Sequence, residues 1–113
     1  SYPVRLPGDW PHVDFAGLRE LSFEEPDTRR FPSLELAYEA ARTGATLPCV
    51  LNAANERAVE AFLREEIGFP AIPDLTATVM RKHRIVRNPG LKDIFEADCW
   101  ARAEAEKCLC AAA

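Results

Sequence analysis

The chain has 113 residues, 48% of them apolar, which is enough for one core and too little for two. Fourteen Lys and Arg against 18 Asp and Glu leave a net charge of -4, the opposite of the basic surplus that marks a dedicated nucleic-acid binder. The five glycines, at 8, 17, 44, 68 and 90, compose no phosphate-cradling loop, and no apolar run approaches the roughly 20 residues of a membrane span.

Residues 1–30 carry Pro3, Pro7, Pro11 and Pro26 with Gly8 and Gly17 between them. Proline removes a backbone donor and fixes φ, so this stretch is expected to run extended as a connecting arm. One short strand is predicted over 18–23. A lone strand is unstable in water and needs a sheet edge that the rest of the chain does not supply.

Residues 31–113 read as helical. Pro32 suits a first helical position and Gly44 a position just past the end, which brackets a helix over 32–42 with Leu34, Ala37, Tyr38 and Ala41 on one face. A second helix is predicted over 48–66, with a stripe of Leu51, Ala54, Asn55, Ala58, Val59 and Phe62 and with Glu60 and Arg64 in the favourable i, i+4 order. Gly68 and Pro70 end it. A third runs from Pro73 to about His83. Asn88 and Pro89 are the expected cap and first turn of a fourth, which carries Leu91, Ile94, Phe95, Ala101, Ala105 and Leu109 nearly to the C-terminus. The expected fold is all-α: a small antiparallel bundle of about four helices behind a proline-rich extended arm with one short strand.

Few residues invite a chemical role. Asn55 lies within an apolar stripe, so its amide is expected to be buried and to tie the second helix to a neighbouring loop, with Asn52 beside it; the functional alternative is a ligand contact in a bundle crevice. Glu24, Glu25 and Asp27 form an acidic knot that reads as a solvated turn entering a helix rather than a cation site. Arg81, Lys82, His83, Arg84 and Arg87 are the one basic concentration, at a helix C-terminus where cations complement the dipole. Cys108 and Cys110 point to different sides of a helix, which is poor zinc geometry. Nothing orients Cys99 and His83 as nucleophile and base. Trp100 is placed over a helix seam or against another domain. The four cysteines, Cys49, Cys99, Cys108 and Cys110, lack the dense spacing of a disulfide scaffold and are expected reduced, in a cytoplasmic protein. No secretory signal opens the chain, and its single Met is Met80, so the expectation is a processed start or a piece of a longer chain.

Several segments together resemble one family. Leu21-Ser22-Phe23-Glu24-Glu25-Pro26-Asp27 and Arg30-Phe31-Pro32-Ser33-Leu34-Glu35-Leu36-Ala37 are similar to the closing strand and first C-terminal helix of the 1-deoxy-D-xylulose 5-phosphate reductoisomerases. Val50-Leu51-Asn52-Ala53-Ala54-Asn55-Glu56, followed by Ala58-Val59-Glu60-Ala61-Phe62-Leu63, resembles that family's most specific C-terminal signature. Ile67-Gly68-Phe69, Ile72-Pro73, Glu96-Ala97-Asp98 and Trp100-Ala101-Arg102 continue in the same order. Ser33 stands where a cysteine is common and Arg57 where an apolar residue is common; Arg57 falls on the polar side of its helix.

The resemblance implies a C-terminal helical support domain, 31–113, behind a connecting arm, 1–30, of which residues 1–25 resemble the connection that crosses the substrate domain and adds a strand there. It implies an enzyme that converts 1-deoxy-D-xylulose 5-phosphate to 2-C-methyl-D-erythritol 4-phosphate with NADPH and Mg or Mn, as a homodimer, in non-mevalonate isoprenoid synthesis. The residues that bind metal, cofactor and phosphate in that family precede the point corresponding to Ser1. No catalytic, cofactor or metal residue therefore carries over, and this chain alone is expected to be inactive. Asn52, Asn55 and Glu56 carry over as a structural signature that fastens the bundle. The dinucleotide-binding and substrate domains are the implied partners, with no nucleic acid and no membrane. The competing reading is a freestanding helical module that binds another protein, in which case the arm packs on its own helices.

Overall fold

Among the residues that the computed structural model describes (2–4, 6–9 and 11–112, the last without its side chain) there are five helices and no strand. They are α1 (Phe15–Leu18), α2 (Pro32–Thr43), α3 (Leu47–Leu63), α4 (Ala71–Lys82) and α5 (Leu91–Ala112). The last four form the all-α bundle, and α3 is its centre: it packs on α2, α4 and α5.

Local chemistry sets the helix ends. Pro32 opens α2 and Gly44 closes it at φ +63°, its N–H donating to the Ala40 carbonyl at 2.8 Å, a backbone state that glycine adopts without a Cβ clash. Glu65 takes φ +63° beyond α3, and the N–H of Glu66 folds back on the Ala61 carbonyl at 3.0 Å. That closure ends α3 at Leu63, short of the expected 66. Asn88 is not the cap of the final helix. It sits at φ +51°, which asparagine tolerates, and Gly90 takes the capping position: its N–H donates to Asp93 Oδ2 at 2.8 Å, and its carbonyl accepts from Ile94 at 3.2 Å.

The core is built from small side chains. Val50, Val79, Leu47 and Met80 lie among Ala40, Ala53, Ala54, Ala97, Ala101 and Ala105. Ala97, Ala101 and Ala105 recur every four residues on α5 and face the alanines of α3, so the two helices approach closely. This seam displaces residues expected inside. Leu91 and Phe95 are 74% and 63% exposed. On α2, Leu36 and Ala40 turn inward, while the expected stripe of Leu34, Ala37, Tyr38 and Ala41 faces out.

Every residue from 11 to 27 is exposed, and α1 touches no other helix. The strand expected over 18–23 does not form in this chain: Leu18 ends α1, and 19–27 are irregular. A strand is held by ladder bonds to a neighbour, and no neighbouring strand exists among the described residues. The arm stands off the bundle, which raises the radius of gyration to 18.8 Å, against about 13 Å for a compact chain of this length.

Candidate functional site

Three clusters of polar side chains occupy the bundle, and the first gathers two of the three signature residues. On α3, Asn52 Nδ2 donates to Glu56 Oε1 at 2.9 Å, one helical turn on. Glu56 Oε2 then accepts from Arg102 Nη2 of α5 at 2.6 Å, and Arg102 Nε donates to Asp98 Oδ2 at 2.8 Å. The result is a clasp across the α3–α5 seam. Hydrogen bonds from Arg102 and Asn52 hold the Glu56 carboxyl below the usual carboxylate range, and the two carboxylates raise the guanidinium pKa in turn. A second bridge runs beside it: Arg57 pairs with Glu60 on its own helix and with Glu106 on α5. Arg57 is thus the half-buried link between two helices rather than a solvated polar position.

Asn55 is separated from this clasp. It is exposed, not buried, and takes no part in the α3–α5 network. It borders a hollow of about 180 Å³ with Ser33, Leu36, Leu51 and Thr76. Asn55 falls at the outer edge of the stripe, whose Ala54 and Ala58 are fully buried; Val50, Ala53 and Ala61 extend the buried face on the other side.

The second cluster was absent from the sequence reading. Thr46 is wholly buried at the start of α3, yet it caps nothing there. Its Oγ1 lies 2.7 Å from His83 Nε2 and accepts the Val86 N–H at 3.1 Å, tying the chain after α4 to the head of α3. Burial lowers the His83 pKa, so the ring is neutral at pH 7. The ring also packs on Trp100, with centroids 5.0 Å apart, so Trp100 covers a seam within this chain. Lys82, at the end of α4, makes the third cluster with Glu104 of α5 at 2.8 Å, and Lys107 approaches the same carboxylate at 3.1 Å.

The remaining candidates disperse. All four cysteines are free. Cys49 donates its thiol to the Ile94 carbonyl at 3.5 Å, and burial pushes its pKa up, which is the behaviour of a packed side chain and not of a nucleophile. Cys108 lies 3.7 Å from Lys82 Nζ, while Cys99 and Cys110 are exposed. His83 faces Thr46 and Trp100, not a cysteine. Asp27 Oδ1 accepts the N–H groups of both Arg29 and Arg30 at 3.0 Å, so the acidic knot does form a solvated turn leading into α2. No group of three or more His, Cys, Asp and Glu side chains that could hold a metal converges among the described residues. No described helix is long and apolar enough to cross a membrane.

A concavity of about 580 Å³ lies between the heads of α2 and α4, with Phe31, Leu34, Phe69 and Ile72 on its walls. Its signal in the sequence was the outward stripe of α2 together with Phe69, which the pattern alone assigned to no partner.

Comparison with known proteins gives the family context. Residues 1–104 match a family model described as the DXP reductoisomerase C-terminal domain. The 1-deoxy-D-xylulose 5-phosphate reductoisomerase of Pelotomaculum thermopropionicum is 56% identical over 102 residues, covering 90% of this chain and 26% of that protein. The reductoisomerase of a Synechococcus species is 50% identical over 104 residues, with 92% and 26% covered. A solved reductoisomerase from Zymomonas mobilis, described as in complex with NADPH, superposes with a TM-score of 0.84 at 38% identity, over 96% of this chain and 29% of that one. The chain spans about a quarter of the length of the relatives it matches.

Proposed function

We propose, from the premise that this chain belongs to the DXP reductoisomerase C-terminal domain family, that it is the helical support domain of such an enzyme and is not catalytic on its own. The observation that carries this reading is the match of residues 1–104 to that family, at 56% identity to an enzyme of which the match covers 26%. The whole enzyme would convert 1-deoxy-D-xylulose 5-phosphate to 2-C-methyl-D-erythritol 4-phosphate, as a cytoplasmic homodimer, with NADPH and a divalent metal.

The described residues do not fit either cofactor. They offer no converging metal donors, and the scattered glycines offer no dinucleotide loop. Those groups would be held by the dinucleotide-binding and substrate domains, to which residues 1–30 would connect the bundle at 31–113. Within the bundle, Asn52 and Glu56 would serve the family by clasping α3 to α5 through Arg102. The exposed arm supports this reading over a freestanding module, whose arm would lie on its own helices.

The test replaces the last quarter of the Pelotomaculum thermopropionicum enzyme with this chain. NADPH oxidation is then followed with 1-deoxy-D-xylulose 5-phosphate and Mn²⁺. The chimera should turn over substrate, and the isolated chain should not. Turnover by the isolated chain, or a folded chimera without activity, would overturn the assignment.

A further inference from the structure

We propose that the concavity at the head of α2 and α4 is the seat of an extended segment from the preceding part of the enzyme, with Asn55 pairing with that segment's main chain. The inference rests on the support-domain reading above.

The first argument is the direction of the apolar stripe on α2. Leu34, Ala37, Tyr38 and Ala41 lie at the spacing of a buried face, yet all four are exposed, and Leu34 and Tyr38 are 40% and 52% open. Leu34 continues this stripe into the groove, where Phe31 faces Phe69, Ile72 and Pro73. Phe69 is 66% exposed but held in place, edge-to-face on Phe62 with centroids 5.6 Å apart. A preformed apolar hollow of about 580 Å³ takes two or three side chains.

The second argument is the polar group beside it. Ser33 borders both this groove and the smaller hollow, whose rim carries Asn55. The Thr76 hydroxyl there already donates to the Ile72 carbonyl at 2.9 Å. An asparagine amide presents donors and an acceptor together, which matches the C=O and N–H of one peptide unit. A segment laid along the groove would set its apolar side chains against Phe31 and Phe69 and its backbone against Asn55.

Tethering and charge select the occupant. Relatives hold about three quarters of their length outside the matched region. The arm enters the bundle at the groove itself, where Arg29 and Arg30 form part of the lining. Whatever precedes the arm is attached within about 30 residues, so its effective concentration at the groove far exceeds that of a separate chain. Neither Arg29 nor Arg30 forms an ion pair among the described residues. The fitting segment therefore carries an acidic side chain beside its apolar ones.

Amide hydrogen exchange tests this on the same chimera, compared with the isolated chain. Residues 29–34 and 69–74 should exchange at least about tenfold more slowly in the chimera, while 102–107 should not change. Phe69→Glu should remove that protection; because the side chain is mostly exposed, the isolated variant should melt as the parent does. Equal exchange at 29–34 and 69–74 in chimera and isolated chain overturns the proposal. So does the same protection in the isolated chain alone, accompanied by a dimer in sedimentation, which would make a second copy the occupant. Activity is read separately. An active chimera without protection removes the groove and keeps the support role, and a protected but inactive chimera does the reverse.

Discussion

The α3–α5 seam and the outer face of α2 are both apolar stripes at helical spacing, and only the seam is satisfied within the chain. On α5 the stripe is alanine, so a neighbouring backbone can approach and cover it. On α2 it is Leu34, Ala37, Tyr38 and Ala41 that face outward, while Leu36 and Ala40, offset around the helix, do the packing. Which face of a helix a neighbour covers, and not only how apolar that face is, therefore decides whether a stripe serves an internal contact or waits for an external one.

The sharpest way to break that contrast is to enlarge the seam. Ala101 is fully buried between α5 and α3, so Ala101→Leu should destabilise the chain by at least about 1–3 kcal/mol in urea unfolding. A variant as stable as the parent would mean that the helices separate without cost and that the seam is not a close contact.

Thr46→Val keeps the shape of a buried side chain but strands the Val86 N–H and His83 Nε2. The expected loss is about 1–3 kcal/mol. An unchanged midpoint would show that the corner between α4 and α3 is held by packing alone.

Acid should then remove the polar ties in sequence. The His83 pKa is lowered by burial from an ordinary 6.5. The unfolded chain therefore takes up that proton first, and stability, complete above 6.5, declines as the pH falls through this value towards the folded pKa. The carboxyls of Glu56 and Glu104 are lowered from 4.5, by Arg102 and Asn52 and by Lys82 and Lys107 respectively. Their contribution is present above 4.5 and is lost below it, as the pH falls through the folded values. Urea midpoints measured from pH 8 to pH 3 should show both declines; a flat trace between 7 and 5 would remove His83 from the account.

The smallest effect belongs to the outer face. Tyr38→Ser should change the stability of the isolated chain by less than about 0.5 kcal/mol, because the ring is 52% exposed, with the Arg42 guanidinium 5.6 Å from its centroid. A loss of the size expected at Ala101 would show that the stripe is already covered in solution.

Much of the candidate site was legible at the level of elements and little at the level of contacts. Asp98 and Arg102, one turn apart, are a pair that any helical reading contains. That Arg102 reaches across to Glu56 depends on the distance between α3 and α5, which no local spacing encodes. The same holds for Asn55. Its place in the stripe is fixed by periodicity, but the stripe's edge falls inside or outside according to where α2 and α4 lie.

The sequence by itself determined approximately where the four bundle helices run, and it set both ends of α2, because Pro32 in the first turn and Gly44 at a positive φ act within a single turn of backbone. It also determined that residues 18–23 could not make a sheet alone, since a ladder needs a second strand. Only the tertiary structure decided which face of each helix is buried, why Thr46 gives up its capping role to meet His83, and why Leu91, Phe95 and Asn55 face outward. Burial is set by the partner that arrives, and on α5 the alanine face admits the closest partner and leaves Leu91 and Phe95 outside.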